Sequence, residues 1–150
     1  MANELLWLPK TVGDLLTTEL NDLADATMVV DGADYDNATR KFRFASFFFF
    51  GTWDAACDAG ALVELHLFYK LDGTNYGDGE DGDVFAAQGS GNSLHGLFQI
   101  GVQADAYQQV LGVPLQPFAF RAGIKMACGQ PLTAVDTHWL KMYPYNEELQ

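Results

Sequence analysis

The sequence predicts an all-β chain folded as an antiparallel sandwich or barrel, and three observations carry that expectation. Apolar and polar side chains alternate through most of the chain from residue 41 onward, the period of a strand with one face buried. Clusters of Gly, Pro, Asp and Asn interrupt those runs at short intervals, as turns between short strands require. Eleven Phe stand among 150 residues, and aromatic side chains favour a pleated, half-buried surface.

Seven or eight strands are expected, near 27–30, 41–50, 61–71, 84–87, 95–103, 106–111, 117–127 and 132–143. The first 34 residues are less patterned: Leu16, Leu20 and Leu23 are spaced for one face of a short helix, and an extended arm with apolar anchors fits equally. Residues 1–34 are therefore expected to form an arm or first strand of the same domain whose sandwich spans 35–150. The run KFRFASFFFFGTW, 41–53, begins as alternation and becomes continuously aromatic. A strand buried on both faces, or one whose outer face meets a partner, reads this way. In 62–71, Val63, Leu65, Leu67, Tyr69 and Leu71 point to one side, while Glu64, His66, Phe68 and Lys70 form the wet one. Phe98, Ile100 and Val102 face inward from the next long run, and Phe118, Phe120, Ala122, Ile124 and Met126 from the one after. The deepest residues are expected to be Leu65, Leu67, Phe98, Ile100, Phe118 and Phe120.

A chain of this length suits one domain, large enough to hold a core without staples. Its net charge of −12 argues against nucleic acid, which needs clustered Lys and Arg, and against anionic lipid. Residues 1–39 carry eight acids against Lys10 alone, a surface that repels copies of itself unless a basic partner neutralises it. Cys57 and Cys128 are too few for a disulfide framework; two reduced thiols and a single bridge both remain open. The start, MANELLWLPK, lacks the basic region and long apolar run of a signal peptide. No stretch reaches the roughly 20 apolar residues that span a bilayer. Synthesis and folding in a cytoplasm are expected, where the sequon Asn37-Ala38-Thr39 has no glycosylation meaning.

The densest chemistry lies in LHLFYKLDGTNYGDGEDGD, 65–83, where a strand runs into a loop bearing Asp72, Asp78, Glu80, Asp81 and Asp83. These carboxylates offer oxygen ligands to a hard cation, with Asp78, Asp81 and Asp83 as candidates. The calcium-loop order of alternating Asp or Asn with its distal Glu is absent, so a solvated turn with permissive glycines is the plainer reading. His66, His95 and His138 lie in separate runs without the spacing of a zinc face. Ser90 and Ser93 lack a nucleophile elbow, and GSGNSLHG lacks the lysine of a phosphate-binding loop. A non-enzymatic protein without a cofactor is expected.

What stands out instead is aromatic: Phe47 to Phe50, Trp53, and the tail HWLKMYPYNEELQ. Such clusters belong either to the core or to a contact with another molecule. At this point LHLFYKLDGTNYG (65–77), VPLQP (113–117) and KMYPYNEE (141–148) resemble segments of small virion structural proteins of tailed bacteriophages. The resemblance implies a jelly-roll-like β-sandwich acting as a capsid decoration or cement protein. It implies the major capsid protein as partner, self-association as a homotrimer, and a place on the capsid surface after synthesis in the host cytoplasm. Candidate contact residues are Leu5, Leu6, Trp7 and Leu8 of the arm with Trp53, Trp139, Tyr143 and Tyr145. The alternative is a tail-associated module binding a receptor or glycan, with Trp53, Tyr69, Tyr76 or Trp139 as stacking platforms.

Overall fold

The computed structural model describes residues 5–9, 13–76, 93–134 and 138–149, with side chains at 13–76, 93–134 and 138–147. In chain order the elements are β1 (Leu5–Pro9), β2 (Gly13–Leu16), β3 (Met28–Val30), β4 (Tyr35–Asp36), α1 (Asn37–Arg40), β5 (Phe44–Thr52), β6 (Leu62–Tyr69), β7 (Leu94–Gln99), β8 (Asp105–Pro114), β9 (Ala119–Ala127) and β10 (Trp139–Leu149). A three-residue 3-10 turn, Thr18–Leu20, follows β2.

The strands form two antiparallel five-stranded sheets. Sheet one runs β1-β10-β5-β8, with β2 also on β10; sheet two runs β3-β9-β6-β7, with β4 also on β9. The pairings are nested. β1 and β2 pair with β10, β3 and β4 with β9, β5 with β8, and β6 with β7. A long hairpin rolled across two sheets gives this order, which is that of a jelly roll.

Alternation explains which side of each strand is inside. In β5, Ala45, Phe47 and Phe49 are buried between the sheets while Phe44, Ser46, Phe48 and Phe50 face out half-covered. From the opposite sheet, Val63, Leu65 and Leu67 of β6 and Phe120, Ile124 and Met126 of β9 meet them. Phe49 packs on Phe98 at 5.5 Å and on Trp53 at 6.2 Å between ring centres. Removing such a ring costs about 3–5 kcal/mol, because the cavity left behind adds to the lost transfer energy. β7 needs Gly96 at its inward position: a Cβ there would sit 2.7 Å from the Val110 side chain of β8.

Leu65, Leu67, Phe98, Ile100 and Phe120 are buried as the alternation predicts, whereas Phe118 is only half-buried, ahead of β9. Val102 is 69% exposed, because the strand ends at Gln99 and Gly101 turns the chain with φ of 73°. The outer face of β6 is not wet throughout: His66 and Phe68 are both buried. Phe68 lies over Gly123 of β9, where a Cβ would come within 3.2 Å of its ring, and stacks on His66 at 6.0 Å. The last strand begins at Trp139, later than expected, and passes through Pro144 opposite Ala45. Among the described N-terminal residues, Leu5–Pro9 pairs with 145–149 of β10 and Gly13–Leu16 pairs beside it. Of the helix expected around Leu16, Leu20 and Leu23, only the three-residue 3-10 turn Thr18–Leu20 forms. The strand expected at 84–87 lies outside the described residues.

Candidate functional site

Half the side chains of β5, β8 and β10 must point away from the core, and here many of those outward positions are aromatic. Register sets them in rows across sheet one: Tyr107, Phe50 and Trp139 are opposite one another, as are Phe48 and Lys141, then Ser46 and Tyr143, then Phe44 and Tyr145. Cross-strand ring pairs of this kind add to sheet stability. Trp139 stacks on Phe50 at 5.9 Å and meets Tyr107 edge-on at 5.5 Å. Tyr143 meets Phe48 edge-on at 6.0 Å, and Tyr145 stacks on Phe44 at 5.7 Å.

These rings are not all consumed by packing. Tyr107 is 57% exposed and Tyr143 37%. Phe48, Tyr107, Trp139, Lys141 and Tyr143 enclose a shallow cavity of about 240 Å³. Lys141 holds its ammonium 4.7 Å from the Trp139 ring centre and 3.4 Å from Asp14 of β2. The cavity thus has apolar ring walls with one ammonium and two phenols, the composition of a site that takes a flat, amphipathic ligand by stacking and hydrogen bonding.

The outer face of sheet two spends its polar groups internally. Asp34 accepts from Lys70 at 2.6 Å, from Arg121 at 2.9 Å and from the Tyr76 hydroxyl. Lys70 and Arg121 also lie over the Tyr76 ring, at 4.8 and 5.2 Å. Burial alone would raise the Asp34 carboxyl, but the hydrogen bonds from Lys70, Tyr76 and Arg121 outweigh it and hold it down at about 2. His66 bridges Ser93 Oγ at 2.9 Å and Glu64 Oε2 at 3.0 Å. That line has the residue types of a hydrolase triad, yet Ser93 and His66 are both buried, and a nucleophile must be reached by its substrate. His138 accepts from the Thr52 amide and sits against Thr133, and His95 bonds the Ser93 carbonyl. Among the described residues no group of three metal-ligating side chains comes together.

Asp72 is used up in a turn: its Oδ1 accepts from the Thr74 and Asn75 amides, and its Oδ2 from the Asn75 side chain. Asp78, Asp81 and Asp83 lie outside the described residues. Cys57 and Cys128 are free, buried thiols in contact, and burial foremost pushes Cys128 up to about 12.

The aromatic residues singled out from sequence divide sharply. Trp139, Tyr143 and Tyr145 stand on the outer face of sheet one. Trp53 does not: it is 2% exposed, packed edge-on against Phe49 between the sheets, which removes it from any contact surface. Tyr69 and Tyr76 are excluded as platforms for the same reason. Tyr69 is buried with its hydroxyl accepting from the Gln116 amide, and Tyr76 is buried under Lys70 and Arg121. Leu5, Leu6, Trp7 and Leu8 are strand residues of the chain's own sheet, and their side chains lie outside the description. The sequence reading missed Tyr107 as a site residue, although its place opposite Phe50 follows once β8 is aligned with β5. No helix among the described residues is long and apolar enough to cross a membrane.

No protein-family model and no curated protein matches the chain, so no family model ties it to phage virion proteins. Among solved structures it is similar to a carbohydrate-binding module, CBM36, in complex with calcium and xylotriose. That match has 14% identity and a TM-score of 0.38, over 85% of this chain and 76% of the other. It is also similar to the CBM36-1 domain of a multidomain xylanase from the hindgut metagenome of Trinervitermes trinervoides. There the identity is 15% and the TM-score 0.42, over 98% of this chain and 97% of the other. Superposition this loose carries no argument about a ligand; the jelly-roll assignment rests on the strand pairings above.

Proposed function

We propose that this chain is a non-catalytic binding module that holds a glycan on the outer face of sheet one. The observation that carries the reading is the half-exposed ring cluster of Phe48, Tyr107, Trp139 and Tyr143 around a cavity of about 240 Å³. A pyranose has an apolar C–H face and a rim of hydroxyls. The first suits the face of an exposed ring, and the second suits the Lys141 ammonium and the Tyr107 and Tyr143 phenols. An exposed aromatic patch has a cost in solubility that a monomeric domain ordinarily avoids unless the patch binds something.

The decoration-protein reading rests on the sequence segments alone; it would use the same face as a protein contact with a capsid subunit. Affinity electrophoresis through gels containing soluble polysaccharides separates the two. Retardation by at least one polysaccharide, lost in Trp139→Ala and weakened in Tyr143→Ala, is the expected result. Free migration through every gel, together with co-sedimentation on phage capsids lacking decoration protein, would replace the glycan with a shell partner.

A further inference from the structure

The segment Arg40-Lys41-Phe42-Arg43 holds three of the eight basic residues of a chain whose net charge is −12. The other described bases with ion pairs are neutralised at home: Lys70 and Arg121 by Asp34, and Lys141 by Asp14. Among the described residues, no carboxylate lies within ion-pair distance of Lys41 or Arg43, and both are exposed. In so acidic a protein, two neighbouring cations left without a carboxylate are a specific feature of the fold.

A buried residue builds it. Asn37 is fully buried at the start of α1. Its Nδ2 donates to the Phe42 and Gln116 carbonyls at 2.9 and 2.8 Å, and its Oδ1 accepts from the Phe42 amide at 2.9 Å. This ties the turn after α1 to the lead-in of β9, with Lys41 in the left-handed region at φ of 55°. The Arg43 amide donates to Asn146 Oδ1 at 2.8 Å, and its carbonyl accepts from Leu115. Lys41 and Arg43 are thereby set on the wall of a cleft of about 450 Å³, floored by Phe44, Pro114, Leu115 and Pro117.

Phe44 links the cleft to the aromatic face: it lines the cleft and also stacks on Tyr145, in the last row of outward rings. Phe44 and Phe48 are four residues apart on one strand, about 13 Å at roughly 3.3 Å per residue. A short oligosaccharide spans that distance.

Given a glycan on the aromatic face, we propose that the unit it places in the Phe44 cleft is acidic, a uronate- or sulfate-bearing sugar held by Lys41 and Arg43. A guanidinium fork matches the paired oxygens of either anion, and an ammonium beside it adds a second charge-assisted bond. The chain's overall negative charge repels a polyanion at long range, so the two cations act as a local selector of one acidic unit.

The test is isothermal titration calorimetry on the full chain as wild type, Lys41→Gln/Arg43→Gln and Trp139→Ala. The probes are oligogalacturonate and its methyl ester, and a sulfated oligosaccharide with its desulfated counterpart. The wild type is expected to bind one acidic probe at least about tenfold tighter than its neutral counterpart. The double variant should lose that preference while keeping the neutral-probe affinity and the melting temperature, and Trp139→Ala should lose both forms. Equal affinity for charged and neutral probes, or a preference that survives in the double variant, overturns the acidic unit and leaves the glycan site standing. Absence of binding to any oligosaccharide by the wild type overturns both.

Discussion

On the outer face of sheet one, Phe48, Phe50, Trp139 and Tyr143 occupy positions that an alternating strand ordinarily gives to polar side chains. On the outer face of sheet two Glu64, His66 and Arg121 stand beside the covered Phe68, with Lys70 just past the strand end. Burial and partners run opposite to that composition. The polar groups of sheet two are satisfied within the molecule, by Asp34, Tyr76 and Ser93, whereas the aromatic face of sheet one keeps half-exposed rings around an open cavity. A polar surface can therefore be structural and an apolar one left open. What decides is whether a group's interactions close inside the chain.

The sharpest way to break this contrast lies within β5. Phe49→Ala, on the inner side, should cost about 3–5 kcal/mol in urea unfolding, while its outward neighbour Phe50→Ala should cost about 1. Equal losses would mean that both faces of the strand are core. Asn37→Ala comes next, at about 1–3 kcal/mol, because it removes two buried hydrogen bonds to the Phe42 backbone and a partly buried one to the Gln116 carbonyl.

Asp34→Asn tests sheet two through pH. The folded carboxyl sits at about 2, below its ordinary 3.8. Its stabilisation is thus fully present above about pH 4 and lost as pH falls from there towards 2. At neutral pH the substitution should cost about 1 kcal/mol, since the cluster is partly exposed, and the gap from wild type should narrow as pH falls from about 4 through 2. A gap undiminished at pH 2 would show that the loss comes from packing instead of charge. The smallest effect should be Tyr107→Ala on stability, within about 0.5 kcal/mol, despite its weight in the proposed site.

Much of the architecture was legible because alternation reports directly on which side of a strand is buried. It located β5, β6 and β9 and named Leu65, Phe98 and Phe120 as core. It misplaced Phe68 because periodicity cannot see that Gly123 on the neighbouring strand leaves room for a ring to lie over it. The last strand was expected near 132–143, yet β10 runs through Pro144 to Leu149. The site was half legible. Trp139 and Tyr143 stood out as aromatic, but so did Trp53, and only the sheet register separates an inward tryptophan from an outward one. Lys41 and Arg43 were passed over in the sequence, although RKFR is a basic run in an acidic chain; that no carboxylate among the described residues pairs with them emerges only from the folded arrangement.

The central claim, that sheet one binds and sheet two supports, is tested most directly by measuring polysaccharide binding and melting together for wild type, Trp139→Ala and Asp34→Asn. The account predicts that Trp139→Ala loses binding with melting lowered by only a few degrees, while Asp34→Asn melts lower and binds as wild type does. Undiminished binding by Trp139→Ala, or loss of binding by a folded Asp34→Asn, would contradict it.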